Sequence, residues 1–423
     1  MSHSATEAAQ GVHLMAKPTG AICNLDCSYC FYLEKESMFP KRHRFLMSDE
    51  VLRSYIAQNI RNEPSPEVLF TWQGGEPMLR GLEFYRQAVA IQRQLSNGKT
   101  IRNALQTNGV LLDEQWCEFL AEAGFTVGIS LDGPREIHDA ARVDKQGKPT
   151  FDAVINGIAL LRKFRVEFNV LVTVTKEVSK HPQEVYRFLK GQGVTHIQFN
   201  PVVERIAKGA DRELGLTFAQ PGGGGLMSQT AQLSPHSVAP EGYGEFLIAI
   251  FDEWVRGDVG TVYVMNFEWA LASFLRLPAT VCLFAENCGR SLVLEHDGNV
   301  YSCDHFVYPD YLIGNILNSD LAGLVDSPRQ RAFGVAKSAN LPDYCQRCDV
   351  RFACHGECPK NRFALTPDGQ PGLNYLCPSY KSYFKHITKY MNAMAKLISH
   401  GQPASLIMDA IKGPLAIALA PTH

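Results

Sequence analysis

The chain has 423 residues, 45% of them hydrophobic and 20% charged, and a formal net charge of -2, a profile that fits a globular protein of two or three domains. That balance leaves no basic stripe for nucleic acid and no polybasic patch for an anionic membrane. Residues 1–19 lack the charged start, apolar core and small-residue cleavage site of a secretory signal, and no apolar run reaches about 18 residues.

A cytoplasmic protein is therefore expected, with its twelve cysteines reduced and serving metals or catalysis rather than six disulfides.

From residue 11 to about 203, β-rich runs alternate with segments whose apolar residues recur at helical spacing, the pattern of βα units around a parallel sheet. Strands are predicted at 12–18, 67–73, 101–107, 126–131, 166–174 and 196–201, and helices at 48–60, 82–95, 113–123, 151–164 and 182–190. Ser48 can cap the first helix and Gly124 can stop the third. Right-handed crossovers place every strand C-terminus on one rim. The polar segments follow the strands in order: a cysteine loop, then Gln73 to Glu76, Gln106 to Gly109 and Ser130 to Gly133.

Residues 204–240, with Gly222 to Gly225, read as a mobile insertion or linker. They form no phosphate loop, because no Gly-Lys-Ser or Gly-Lys-Thr follows the glycines. A helix is expected at 242–256, and 270–384 is cysteine-rich with short segments, as in a metal-stapled second domain. A last helix is expected at 382–399. The expected organisation is α/β: residues 1–240, a linker helix region at 241–269, the cysteine-rich domain at 270–384, and a C-terminal helix and tail at 385–423.

Cys23, Cys27 and Cys30 are spaced closely enough to deliver three thiolates to one point. A four-iron cluster held by three cysteines keeps one iron open to an outside ligand; zinc with a remote fourth ligand is the alternative. Downstream lie Cys282, Cys288 and Cys303, then Cys345, Cys348, Cys354, Cys358 and Cys377. Eight thiols divide into two fully ligated four-iron clusters, although zinc also fits the intervals. The remaining cysteine, Cys117, sits on a helical apolar face beside Trp116 and Leu120 and reads as a buried inert thiol.

The Cys-x3-Cys-x2-Cys loop, with Tyr29 before its last cysteine, resembles the radical S-adenosylmethionine (SAM) superfamily. The resemblance implies a partial (β/α)6 barrel whose open iron chelates the amino and carboxylate groups of SAM. Gly74, Gly75 and Glu76, followed by Pro77, are similar to the segment that receives the SAM amino group, with Glu76 accepting from the ammonium. Ser130 matches the ribose contact, and Asp132 can join it or form an Asx turn with Gly133. Arg142 is assigned either to the SAM carboxylate or to an exposed helical salt bridge.

Cys288-x9-Gly298-x4-Cys303 and the cysteines after it resemble a SPASM auxiliary-cluster domain. That resemblance assigns Cys282, Cys288, Cys303 and Cys358 to one cluster and Cys345, Cys348, Cys354 and Cys377 to the other, although spacing alone would keep Cys358 with the second set.

Cys282 ahead of Cys288, the pair Cys303-Asp304 and the run Cys30-Phe31-Tyr32-Leu33 together resemble the anaerobic sulfatase-maturating enzymes. The resemblance implies three 4Fe-4S clusters, SAM, a low-potential donor of the flavodoxin or ferredoxin type, and an unfolded sulfatase segment in which Cys or Ser becomes formylglycine. Asp304 would be the base for the target thiol or hydroxyl, with Gln73 and Tyr32 orienting that group. His305 and His355 are expected to be outer hydrogen-bond donors or surface groups. The competing readings are a SPASM enzyme that crosslinks a ribosomal peptide and, from another class, a non-catalytic electron carrier.

Overall fold

The strand Glu67–Trp72 shows how the sequence sets the layers: Val68, Phe70 and Trp72 are buried while Glu67 and Leu69 face outward, the period-two alternation of a sheet with one covered face. In the computed structural model, which describes residues 11–39, 45–222 and 232–412, six such strands run parallel. They are β1 (His13–Ala16), β2 (Glu67–Trp72), β3 (Thr100–Thr107), β4 (Phe125–Ser130), β5 (Glu167–Val174) and β6 (His196–Pro201). The connecting helices are α1 (Asp49–Asn62), α2 (Leu82–Leu95), α3 (Glu114–Glu122), α4 (Phe151–Lys163) and α5 (Pro182–Gly191).

Local chemistry fixes the helix ends. Ser48 caps α1 by accepting from Val51 N at 3.2 Å, and Asp113 caps α3 by accepting from Trp116 N at 2.8 Å. Gly124, at φ +65°, turns the chain out of α3. Cys117 is fully buried on that helix.

The sheet does not stop at the six strands. Its order is β10-β9-β8-β1-β2-β3-β4-β5-β6-β7, where β7 is Tyr263–Val264, β8 Ser291–Leu294, β9 Asn299–Tyr301 and β10 Leu312–Asn315. β8 lies parallel to β1, with His13 opposite Ser291 and Ala16 opposite Leu294. The first three strands of the cysteine-rich region continue the sheet of the first six. An open sheet leaves unpaired N–H and C=O groups along β1, and β8 satisfies them: Lys17 N donates to Leu294 O at 2.8 Å. This carries the 303–304 segment to the rim where β1 ends.

Residues 204–222 and 232–240, read from the sequence as a mobile insertion or linker, carry backbone contacts to each other and to the 33–38 turn. Arg205 bridges to Leu233 and Ile206 to Phe218, and Glu34 accepts from the backbone N–H groups of Thr217 and Phe218 at 2.5 and 2.9 Å. Within Gly222 to Gly225, only Gly222 lies inside the described residues.

The helices α6 (Gly242–Gly257) and α7 (Met265–Phe274) lead to the cysteine-rich segments, and α9 (Cys377–Ser399) packs back on α6. Gly244 permits this approach, since a Cβ there would lie 2.6 Å from Ser379 Cα. α9 begins at Cys377, earlier than predicted, because Pro378 falls in its first turn where no N–H is needed. Between β10 and α9 lies α8 (Pro328–Ala339). Among the described residues no helix is long and apolar enough to cross a membrane.

Candidate active site

The cysteine loop leaves β1 at the rim and is tied to the chain beyond β4: Asp26 N donates to Val143 O at 2.8 Å and Ser28 N to Ala141 O at 3.0 Å. Cys23 Sγ receives Leu25 N at 3.4 Å and Asn108 Nδ2 at 3.6 Å. Burial pushes the Cys23 and Cys27 thiols up to about 11 and also raises Cys30; the charge of Cys27 acts on Cys23, that of Cys30 on Cys27 and that of Cys23 on Cys30. Three mutually close thiols are thus held on one loop, and a cationic core would be needed to keep them as thiolates.

The glycines after β2 have a steric cause. A Cβ on Gly75 would lie 2.1 Å from Ile22 O, and Gly74 stands at φ +128°, so the pair lets this turn pack against the backbone that enters the cysteine loop. Glu76 follows the two glycines. Its carboxylate is wholly buried and already accepts from Met78 N at 3.0 Å, Thr107 Oγ1 at 2.8 Å and Asn108 N at 2.8 Å. Burial outweighs those donors and lifts its pKa to about 7. It braces two rim segments, with two of these donors on Oε1 and one on Oε2. The carbonyl oxygens of Gly74 and Gly75, by contrast, receive no hydrogen bond among the described residues.

Asp132 and Arg142 face each other. Asp132 Oδ2 accepts from Tyr29 Oη and Arg142 Nε, both at 2.7 Å, while Oδ1 accepts from Thr173 N at 2.8 Å and Arg142 Nη2 at 3.1 Å. Burial works to raise the Asp132 pKa, but the guanidinium outweighs it and holds the carboxyl below its ordinary value. Arg142 therefore pairs with Asp132 inside the protein and not in an exposed helical salt bridge, and the two oxygens of Asp132 take four donors. Together they pin Tyr29, and with it the cysteine loop, to β4 and β5. Ser130 remains half-buried at the rim, its Oγ 3.4 Å from Gln106 Nε2.

Asp304, Tyr32 and Gln73, predicted from distant parts of the sequence, come together. Tyr32 donates its hydroxyl to Asp304 Oδ2, and Gln73 Nε2 donates to Tyr32 Oη at 3.4 Å. Asp304 Oδ1 lies 2.6 Å from Lys17 Nζ, which is also 3.2 Å from Glu295 Oε1. Lys35 Nζ donates to Asp304 O at 3.4 Å and sits over the rings of Phe31, Tyr32 and Tyr308. Burial favours protonated Asp304, but Lys17 and Lys35 overcome it and hold the carboxyl far below the usual range. Burial, then Lys17, pushes Lys35 down to about 8.

His305 is half-buried against Phe31, and desolvation followed by Lys360 lowers its pKa to about 3, so the ring is neutral. His355 is half-buried, at φ +46°. Sequence reasoning missed Lys17, Lys35 and Glu295. For Lys17 and Glu295 a signal existed, since each is a charge placed directly after a buried strand at the rim.

The late cysteines fall into two sets. Burial raises Cys303 and Cys358; Cys282 and Cys288 add to the first effect, and Cys303 and Cys282 to the second. In the other set Cys377 and Cys345 act on Cys354, and Cys345 and Cys348 on Cys377, after burial in each case. Cys345, Cys348, Cys354 and Cys377 line one small pocket. Cys358 is thrown to the first set by three consecutive left-handed residues, His355, Gly356 and Glu357, at φ +46°, +70° and +49°. Among the described residues no three His, Cys, Asp or Glu side chains close in tightly enough to hold a single metal ion.

Residues 18–189 match the Radical SAM superfamily, and residues 282–349 match SPASM, an iron-sulfur cluster-binding domain. The chain is 45% identical over 404 residues, 96% of each chain, to the serine-type anaerobic sulfatase-maturating enzyme of Bacteroides thetaiotaomicron. It is 33% identical over 381 residues to the cysteine-type enzyme of Clostridium perfringens, covering 88% of this chain and 95% of that one. The fold matches native anSMEcpe with bound AdoMet and Cp18Cys peptide at a TM-score of 0.78 and 31% identity, over 92% of this chain and 99% of that one. Streptococcus suis SuiB bound to precursor peptide SuiA matches at a TM-score of 0.56 and 13% identity, over 87% and 76%, a likeness of fold alone. The chain belongs to the anaerobic sulfatase-maturating enzymes, built from a radical SAM domain and a SPASM domain.

Proposed function

We propose that this protein oxidises a Cys or Ser side chain in an unfolded sulfatase segment to formylglycine, using SAM and three four-iron clusters. The observation that carries the reading is the meeting of Asp304, Tyr32 and Gln73 at the rim beside the cysteine loop, with Asp304 directly following the cluster-type thiol of Cys303. The donor chemistry fits the groups: three close thiols on the loop leave a position for SAM, and two sets of four close thiols suit closed clusters. Ser130 and the free carbonyls of Gly74 and Gly75 border the place for SAM.

SAM and the loop cluster, when bound and reduced by a flavodoxin- or ferredoxin-type donor, supply a 5′-deoxyadenosyl radical that takes one hydrogen atom from the target Cβ. The chain's part is then to orient the target and move a proton. Gln73 and Tyr32 fix the hydroxyl or thiol, and Asp304, ionised across the working pH range, accepts its proton as the substrate radical gives up one electron. A weak base suffices, because loss of that electron makes the O–H or S–H strongly acidic. The serine product is the aldehyde directly; the cysteine product is a thioaldehyde that exchanges sulfur for water and releases hydrogen sulfide. The reducing conditions this chemistry needs agree with a cytoplasmic location.

The test is anaerobic incubation of the reconstituted protein with Cys- and Ser-bearing sulfatase-motif peptides, followed by mass measurement. An aldehyde product is expected from at least one. Formation of 5′-deoxyadenosine with no aldehyde from either would transfer the reading to modification of another peptide.

A further inference from the structure

Lys337 is a fully buried ammonium with an unusual set of neighbours. Its Nζ donates to Cys282 O at 2.6 Å and Leu283 O at 2.8 Å. These are neutral acceptors, and among the described residues no carboxylate forms an ion pair with it. A buried charge without a counter-ion costs several kcal/mol by ordinary desolvation, so a lysine held here needs an anion nearby. Burial disfavours its charge, and the groups that work against burial are, in order, Cys288, Cys282, Cys358 and Glu357.

Its placement is built into the fold. Gly334 lets α8 press against the cysteine loop at 288, where Cys288 N donates to Gly334 O at 3.1 Å and a Cβ on Gly334 would lie 2.5 Å from Cys288 O. Lys337 stands three positions later on the same helix face. A second cation repeats the arrangement. Arg362 donates to the carbonyls of Gly356, His355 and Glu357 at 2.9, 3.0 and 3.2 Å and to that of Lys337 itself, again with no carboxylate partner among the described residues. It clamps α8 to the left-handed turn that delivers Cys358. The buried Glu357 is held instead by Asn374 and Asn361 at 2.5 and 3.2 Å.

We propose that Lys337, backed by Arg362, is the counter-charge of a cluster held by Cys282, Cys288, Cys303 and Cys358, and raises that cluster's reduction potential so that it can take the electron released by the substrate radical. The inference rests on the proposed cluster assignment. Four thiolates around a four-iron core leave a net negative charge that grows by one on reduction, so a fixed cation against the thiolates favours the reduced form. Asp304 follows one of these cysteines, which joins the proton acceptor and the electron acceptor in one segment. Lys337 is a positioning charge and touches no substrate.

The test uses full-length protein in which Cys23, Cys27 and Cys30 are replaced by Ala, so that only the two later clusters are titrated with a redox mediator series and read by electron paramagnetic resonance. In K337M one of the two midpoints should fall by at least a tenfold change in the reduced-to-oxidised ratio, about 59 mV for a one-electron couple, and K337R should restore it to within threefold. With the loop cysteines intact, K337M should release more 5′-deoxyadenosine per aldehyde formed. Unchanged midpoints in a K337M protein that carries both clusters would overturn the proposal. Loss of four irons in K337M with recovery in K337R supports it, because charge is then what the site needs. Loss in both variants overturns it in favour of a packing role. Absence of clusters from the parent protein would overturn the cluster assignment and the proposal with it.

Discussion

Asp132 and Asp304 each sit at the rim beside a buried cation and a tyrosine of the 23–32 stretch: Arg142 and Tyr29 for the first, Lys17 and Tyr32 for the second. The Asp132 side chain is 1% exposed and its two oxygens take four donors; the Asp304 side chain is 18% exposed and shares its oxygens between one lysine and one hydroxyl. The cations differ as well. Arginine keeps its proton at any working pH and locks a carboxylate with its planar fork, whereas lysine is a point charge that burial can titrate. An aspartate, a cation and a tyrosine thus make a fastening in one place and the proposed reactive edge in the other, and free acceptor capacity separates the two.

The largest test of this contrast is Asp132→Asn. It leaves a guanidinium buried without its anion, at a cost of about 3–5 kcal/mol, and frees Tyr29. Thermal unfolding of the reconstituted protein should move down sharply, with loss of iron from the cysteine loop; an unchanged midpoint would make Asp132 a ligand group after all. Asp304→Asn should behave oppositely. Lys17 keeps Glu295 as its partner, so stability should fall by only about 1–3 kcal/mol, while aldehyde formation drops about 10²–10⁴-fold and 5′-deoxyadenosine continues to appear. If both products fell together, Asp304 would be acting on SAM binding and the contrast would break.

The sequence made the parallel strand order and the rim legible because strand alternation and capping are local: 82–95 and 196–201 match their elements end to end. It also brought out the meeting of Asp304, Tyr32 and Gln73, through resemblance. Three features were hidden for physical reasons. β8 joins β1 from 278 positions away, and edge pairing leaves no mark in the periodicity of either strand. The partners of Glu76, Asp132 and Arg142 could not be read, because a polar residue at a rim can point into the site or into the scaffold, and donors such as Thr107 and Thr173 come from distant strands. The path of Cys358 depends on left-handed backbone at His355 and Glu357, which neither residue type announces.

The smallest effect sharpens the lysine side of the contrast. Lys35 is fully buried and pushed down to about 8, so below pH 8 it is charged in both folded and unfolded chains and its full desolvation cost is present. Between about pH 8 and the ordinary lysine range near 10 the unfolded chain holds more protons than the folded one, and stability rises with pH. Lys35→Met removes the charge and keeps the packing. Its gain, after loss of the favourable contacts with Phe31, Tyr32 and Tyr308, should be about 1–2 kcal/mol at pH 7 and should shrink as pH climbs through that window. Paired unfolding curves of wild type and variant at pH 7 and pH 9.5 measure this directly. A difference that stayed constant would mean that Lys35 keeps its proton throughout, like Arg142, and that the reactive edge at Asp304 is as fixed in charge as the fastening at Asp132.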